Sequence, residues 1–142
     1  MIREYQKGDE TAIAALEAEC FSDPWSADAV IKSAGSGIRF FVFFEEGKIL
    51  GYVGLQITLD EGYITNIAVT EKFRDRGIGK ALLSHLDKLS EELSLSFISL
   101  EVRESNLSAI ALYEKMGYSS DGIRPNFYEN PRENAIIMTK RR

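Results

Sequence analysis

The chain has 142 residues, 17 basic and 22 acidic side chains, a formal net charge of -5, and 44% hydrophobic against 27% charged residues. That length suits one domain with a core of its own, and the composition is that of an ordinary water-soluble globule. The acidic balance argues against a nucleic-acid partner, which needs clustered cations, and leaves room for a basic peptide or an amine.

No apolar run reaches the length of a bilayer span, and Met1-Ile2-Arg3-Glu4 opens no signal-like segment, so a cytoplasmic location with no membrane partner is expected. Cys20 is the single cysteine and cannot form an internal disulfide. It reads as a small apolar residue closing the first helix.

Ile2 to Tyr5 reads as a short strand. Asp9 is placed to cap a helix from Glu10 to about Cys20, with Ala12, Ile13 and Leu16 toward the core. After the turn Phe21 to Ser26, Ser26 caps a second helix through Ala29, Val30 and Ile31, which breaks over Ser33 to Gly37. Arg39 to Glu45 and Lys48 to Thr58 flank Glu46-Gly47 as a hairpin, and Glu61 to Val69 makes the next strand. A helix from Ile78 puts Leu82, Leu86, Leu89 and Leu93 on one face. Ser96 to Arg103 is a strand, and Asn106 to Met116 a helix, apolar almost all round and so expected to be largely buried, closed by Gly117. Tyr118 to Arg124 and Glu133 to Thr139 form a last strand pair, joined by a polar loop holding Pro125, Asn126, Asn130 and Pro131. The order β-α-α-β-β-β-α-β-α-β-β implies an α/β fold, a mixed sheet with helices covering it.

Chemistry concentrates first in Arg74-Asp75-Arg76-Gly77-Ile78-Gly79-Lys80. Gly77 and Gly79 allow a sharp bend at a helix N-terminus, where backbone N–H groups converge on an anion, and Arg74, Arg76 and Lys80 add mobile positive charge. Neither a Walker loop nor a dinucleotide fingerprint fits, since Lys80 is followed by Ala81 and the third glycine position is Leu82. Glu101 lies near the carboxyl end of a strand whose Ile98, Leu100 and Val102 face the other way, a place for a general base or for a surface ion pair with Arg103 or a neighbour. Tyr113 takes its hydroxyl into the apolar helix, for a structural hydrogen bond or for proton donation. His85, the lone histidine, falls at the edge of its helix's apolar face, and Phe40, Phe41, Phe43 and Phe44 read as strand packing.

Ile67-Ala68-Val69 followed by Arg74 to Lys80 resembles the acyl-CoA motif R/Q-x-x-G-x-G/A of the GNAT superfamily of N-acetyltransferases. Within it, Cys20 to Ser26, Leu100 to Asn106 running on through Ala111 to Tyr118, and Arg124-Pro125-Asn126-Phe127-Tyr128 with Ala135 to Met138 are similar to the bacterial ribosomal-protein-alanine N-acetyltransferases. The resemblance implies one N-acetyltransferase domain over 1–142, with a mostly antiparallel seven-stranded sheet, a splayed parallel strand pair and four flanking helices. It implies acetyl-CoA as the cosubstrate and no metal. Ile67, Ala68 and Val69 would hold the pantetheine arm, Arg74, Asp75, Arg76, Gly77, Ile78, Gly79 and Lys80 the pyrophosphate, and Asn106 a further cofactor contact. By the same likeness Glu101 is the general base and Tyr113 the general acid, while Trp25, Asn126 and Tyr128 shape the acceptor channel.

The implied acceptor is the N-terminal alanine amine of a small-subunit ribosomal protein, taken by a monomer or weak oligomer. Other protein N-termini, lysine side chains or a small-molecule amine are the alternatives, and a non-catalytic CoA-binding module is the alternative of another class. Two departures touch the acceptor side: Phe127 stands where the group often has a tyrosine, and Asn134 where it often has an acid.

Overall fold

The computed structural model describes all residues from Met1 to Arg142. Its strands are β1 (Ile2–Glu4), β2 (Arg39–Glu45), β3 (Lys48–Thr58), β4 (Glu61–Val69), β5 (Phe97–Arg103), β6 (Ser119–Tyr128) and β7 (Glu133–Arg141). Its helices are α1 (Glu10–Cys20), α2 (Ala27–Gly35), α3 (Ile78–Glu92) and α4 (Leu107–Lys115), with a single 3-10 turn at Glu71–Phe73. The strands form one sheet in the order β1-β2-β3-β4-β5-β7-β6, antiparallel throughout except for β4 and β5. No helix is long and apolar enough to cross a membrane.

Strand alternation sorts the apolar residues onto two faces. Phe41, Val53, Ile98 and Leu100 join Leu82, Leu83 and Leu86 of α3 in one core. Phe40, Val42, Tyr52 and Ala68 join Ile13 and Leu16 of α1 and Val30 of α2 in the other. The β2–β3 turn has positive φ at both Glu46 (51°) and Gly47 (77°), the conformation a two-residue hairpin requires.

Several local expectations are corrected. Asp9 does not cap α1; its carboxylate is drawn instead to Arg3 Nη1 at 2.7 Å and to the Gln6 N–H at 2.8 Å. Ser26 does cap α2, accepting from the Ala29 N–H at 3.1 Å, but that helix runs on to Gly35. The polar loop after Arg124 is shorter than expected: β6 continues to Tyr128, with a register shift between Arg124 and Tyr128, and takes in Pro125 and Asn126, while Asn130 and Pro131 stay in the turn before β7. Only Tyr113 of α4 is fully buried, and Leu107 is 73% exposed, because this short helix lies over the sheet with one face in solvent.

Candidate active site

β4 and β5 pair at only three rungs, Glu61↔Phe97, Gly62↔Ile98 and Tyr63↔Ser99. Both strands continue beyond that point, to Val69 and Arg103, without pairing again. The edge of β4 that faces β5 from Ile64 onward thus keeps backbone groups free at the centre of the sheet, where a ligand can take them. Two cavities occupy this opening.

The first, about 380 Å³, runs along Ile67, Ala68 and Val69 to the turn Arg74, Asp75 and Gly77 and the start of α3 at Ile78, Gly79 and Lys80. Asp75 (φ 64°) and Gly77 (φ 80°) both adopt left-handed conformations, turning the chain so that α3 opens toward the cavity. Beyond its own chain neighbours, no atom lies within 4 Å of where a Gly77 side chain would begin, so the space in front of the helix is open. Gly79 meets a different constraint: a Cβ there would approach Leu112 of α4 to 3.1 Å, so its absence lets the two helices close on one another. An open N-terminus with free amides fits an anionic diphosphate, and the apolar wall from Ile67 to Val69 fits an acyl-carrying arm.

The basic side chains here are less mobile than expected. Arg74 Nε donates to the Val69 carbonyl at 3.1 Å, and its Nη2 lies 3.2 Å from Cys20 Sγ. Arg76 stacks on Phe73 at 4.8 Å from the ring centroid and does not line the cavity. Asn106 caps α4, accepting from the Ala109 N–H at 3.3 Å, and lines the cavity.

The second cavity, about 320 Å³, is lined by Glu101, Thr65, Asn66, Arg103 and Tyr128, with Ser22 and Asp23 of the α1–α2 turn. The two cavities share Cys20, Phe21, Ile67, Asn106, Ala109 and Tyr113. Tyr113, 6% exposed, therefore stands at the junction, and burial pushes its hydroxyl well above the ordinary tyrosine value, with Tyr128 adding to the shift. It keeps its proton at neutral pH.

Glu101 is buried to all but 8% of its side chain. Tyr63 donates a hydrogen bond to Oε1, and Arg124 Nε donates to Oε2 at 3.1 Å. The ion pair is thus made with Arg124 and not with Arg103, whose guanidinium binds Glu133 and the carbonyls of Glu129 and Pro131 and covers the Tyr128 ring at 4.4 Å. Tyr128 is pushed up to about 12 by burial, with the Glu101 charge adding.

Of the other expected acceptor residues, Trp25 and Asn126 line neither cavity. Trp25 packs edge-on against Phe40 at 6.1 Å, and the Asn126 N–H donates to Asn134 Oδ1 at 2.9 Å.

Sequence reasoning missed Tyr63, Arg124 as partner of Glu101, and Cys20 as a wall of both cavities. Period-two alternation would have put Tyr63 and Glu101 on the same face once β4 and β5 were known to pair in parallel, but pairing partners are not written in one strand's pattern. Burial raises the Cys20 thiol despite the nearby Arg74, which makes it a poor nucleophile.

Comparison with known proteins agrees with this geometry. A family model described as Acetyltransferase (GNAT) family matches residues 10–118. A relative from Escherichia coli (strain K12), a [ribosomal protein bS18]-alanine N-acetyltransferase, is 38% identical over 125 residues, covering 87% of this chain and 84% of its own. The crystal structure of the E. coli ribosomal-protein-S18-alanine N-acetyltransferase superposes with a TM-score of 0.92 at 35% identity, over 99% of this chain and 92% of that one. The structure of Ard1 from Thermoplasma volcanium gives 0.89 at 26% identity, over 99% and 96%.

Proposed function

Because the chain belongs to the GNAT acetyltransferase family and is an acetyl-CoA-dependent N-acetyltransferase, we propose that its acceptor is the N-terminal alanine amine of the small-subunit ribosomal protein S18. The whole of residues 1–142 works as one catalytic domain in this reading, in the cytoplasm and as a monomer or weak oligomer. The observation that carries it is the meeting of two cavities at Tyr113, one fitted to a diphosphate and an acyl arm, the other holding Glu101.

Acetyl-CoA supplies a thioester carbonyl already activated for attack by an amine. The amides from Gly77 to Lys80 at the start of α3 hold its pyrophosphate, and Ile67 to Val69 hold the arm. Near neutral pH an α-amine, with a pKa of about 8, is mostly protonated and carries no free lone pair. Glu101 takes that proton at a carboxylate oxygen, and Arg124, more than half exposed on edge strand β6, is the partner that gives way to the ammonium. Unpaired N–H groups on the β5-facing edge of β4 are positioned to donate to the oxygen as it gains charge. Tyr113 gives its proton to the departing sulfur as the C–S bond breaks, and the second proton shed by the attacking nitrogen as the amide forms restores the tyrosine hydroxyl. Phe21 and Tyr128 bound the path by which the acceptor enters.

The test is a panel of acceptors with acetyl-CoA: a peptide copying the S18 terminus, the same peptide with its α-amine blocked and a lysine present, and small polyamines. Mass spectrometry locates the acetyl group. Acetylation of the unblocked α-amine supports the reading, and modification of lysine or polyamine alone overturns it.

A further inference from the structure

A register shift on β4 has a polar consequence. Gly54 of β3 pairs with Asn66 and Leu55 with Ile64, so Thr65 is an extra residue between them. The bulge turns both Thr65 and Asn66 toward the α1 side of the sheet: a side chain at Gly54 would collide with the Thr65 hydroxyl beside Phe40, and Asn66 reaches α1 itself. Both line the cavity that holds Glu101.

Glu17 of α1 lies behind them, 1% exposed and in no ion pair. Its Oε1 accepts from the Trp25 N–H at 2.9 Å. Its Oε2 accepts from the Tyr52 hydroxyl and from Asn66 Nδ2 at 3.1 Å. A carboxylate offers only acceptors, so it dictates which end of the Asn66 amide faces it. The NH₂ group goes to Glu17, and Oδ1 is left on the other side. Asn66 Oδ1 and Thr65 Oγ1 are both buried, and neither has a hydrogen-bond partner within the chain. Unpaired buried oxygens are rare because they forfeit water without replacing it. In the wall of a substrate cavity, an oxygen fixed as an acceptor is matched to a donor on the ligand.

We propose, resting on the reading of a peptide α-amine as acceptor, that Asn66 Oδ1 receives the first peptide N–H of the incoming chain, and that Glu17 is the positioning residue that holds the amide in that orientation. Every peptide whose second residue is not proline carries that N–H, whereas a small amine does not. Asn66 thus selects for a polypeptide terminus, and Glu17 ties the α1–α2 turn, through the Trp25 backbone, to the same strand.

The experiment compares an alanine-initiated peptide with its depsipeptide twin, in which an ester oxygen replaces that N–H. Wild-type enzyme is expected to favour the amide by about tenfold in kcat/KM, chiefly through KM, as befits one hydrogen bond to a buried acceptor. Asn66→Ala should lose the preference by falling to the ester's level, with the KM for acetyl-CoA unchanged. Glu17→Gln, whose Nε2 donates to Oδ1 and turns the amide round, should lose the preference too; if it does not fold, Asn66→Ala decides alone. The calorimetric Kd of the two peptides for wild type and Asn66→Ala should show the same pattern without turnover. Equal use of amide and ester by the wild type, or a preference retained by Asn66→Ala, overturns the inference. Acetylation of neither peptide at its terminus overturns the acceptor reading and this inference with it.

Discussion

The Tyr63 hydroxyl donates a hydrogen bond to Glu101 Oε1 beside the last rung, Tyr63↔Ser99, at which β4 and β5 pair. The residue that ends the pairing is therefore also the one that orients the proposed base. Burial pushes the Tyr63 hydroxyl well above its ordinary value and the bond to Glu101 adds to this, so it remains a donor throughout the working pH range. Tyr63→Phe should lower kcat about tenfold, the effect of one lost hydrogen bond to a charged group, and leave the KM for acetyl-CoA unchanged. Steady-state kinetics at fixed peptide concentration read both numbers. An unaltered kcat would mean that Arg124 alone aligns the carboxylate.

Gly77 and Gly79 should fail differently when replaced. Gly77→Ala keeps the space but strains a left-handed residue, costing about 1 kcal/mol and lowering Tm by roughly 3 °C. Gly79→Ala pushes on Leu112 and hence on the helix that carries Tyr113. Its larger defect should be in kcat, with acetyl-CoA affinity also reduced. Differential scanning calorimetry together with CoA titration separates the two effects.

Stability should show the Arg3–Asp9 pair in its pH dependence. The hydrogen bond from Arg3 holds the Asp9 carboxyl below its ordinary value, against the opposing effect of burial. The folded chain therefore favours the ionised form. This contribution is complete above the unfolded pKa of about 3.9 and is lost as pH falls through the lower folded value. Asp9→Asn should lower Tm at pH 7, and the gap between variant and wild type should close on acidification below pH 4. A gap of the same size at every pH would assign the effect to packing.

Tyr113→Phe removes the proposed acid from the junction of the two cavities. A drop in kcat of about a hundredfold is expected with the natural thiol. An acyl donor whose thiol has a lower pKa leaves without help, so the deficit should shrink with it. A deficit independent of the leaving group would assign Tyr113 to packing against Tyr118, whose ring lies 6.0 Å away.

Periodicity and turn chemistry made much of this fold legible. The boundaries of α1, β2, β3 and β4 agree residue for residue with the expected ones, because Ser, Gly and Asp punctuate strongly patterned segments. The bend from Arg74 into α3 was legible too, since its glycines serve backbone geometry that a sequence states directly. What escaped was non-local. Asp9 found Arg3 six residues back in place of the helix N-terminus, and Pro125 and Asn126 lie within β6 in the break between the rungs Arg124↔Ala135 and Tyr128↔Glu133, where the Asn134 side chain holds the Asn126 N–H. Tyr63 and Arg124 converge on Glu101 from strands at either side of β5, with β7 lying between β5 and β6, a neighbourhood no single segment encodes. The bulge at Thr65 was equally hidden, and it turns two consecutive polar residues to one side of the sheet.

The central claim is that Glu101 takes the proton from an α-ammonium before attack, and the pH dependence of Glu101→Gln tests it most directly. At pH 7 the variant should be at least a hundredfold slower than wild type on an alanine-initiated peptide. Above pH 9 the amine, with its own pKa of about 8, sheds its proton unaided, and the deficit should largely close. A deficit of equal size at both pH values, or none at either, would contradict the assignment.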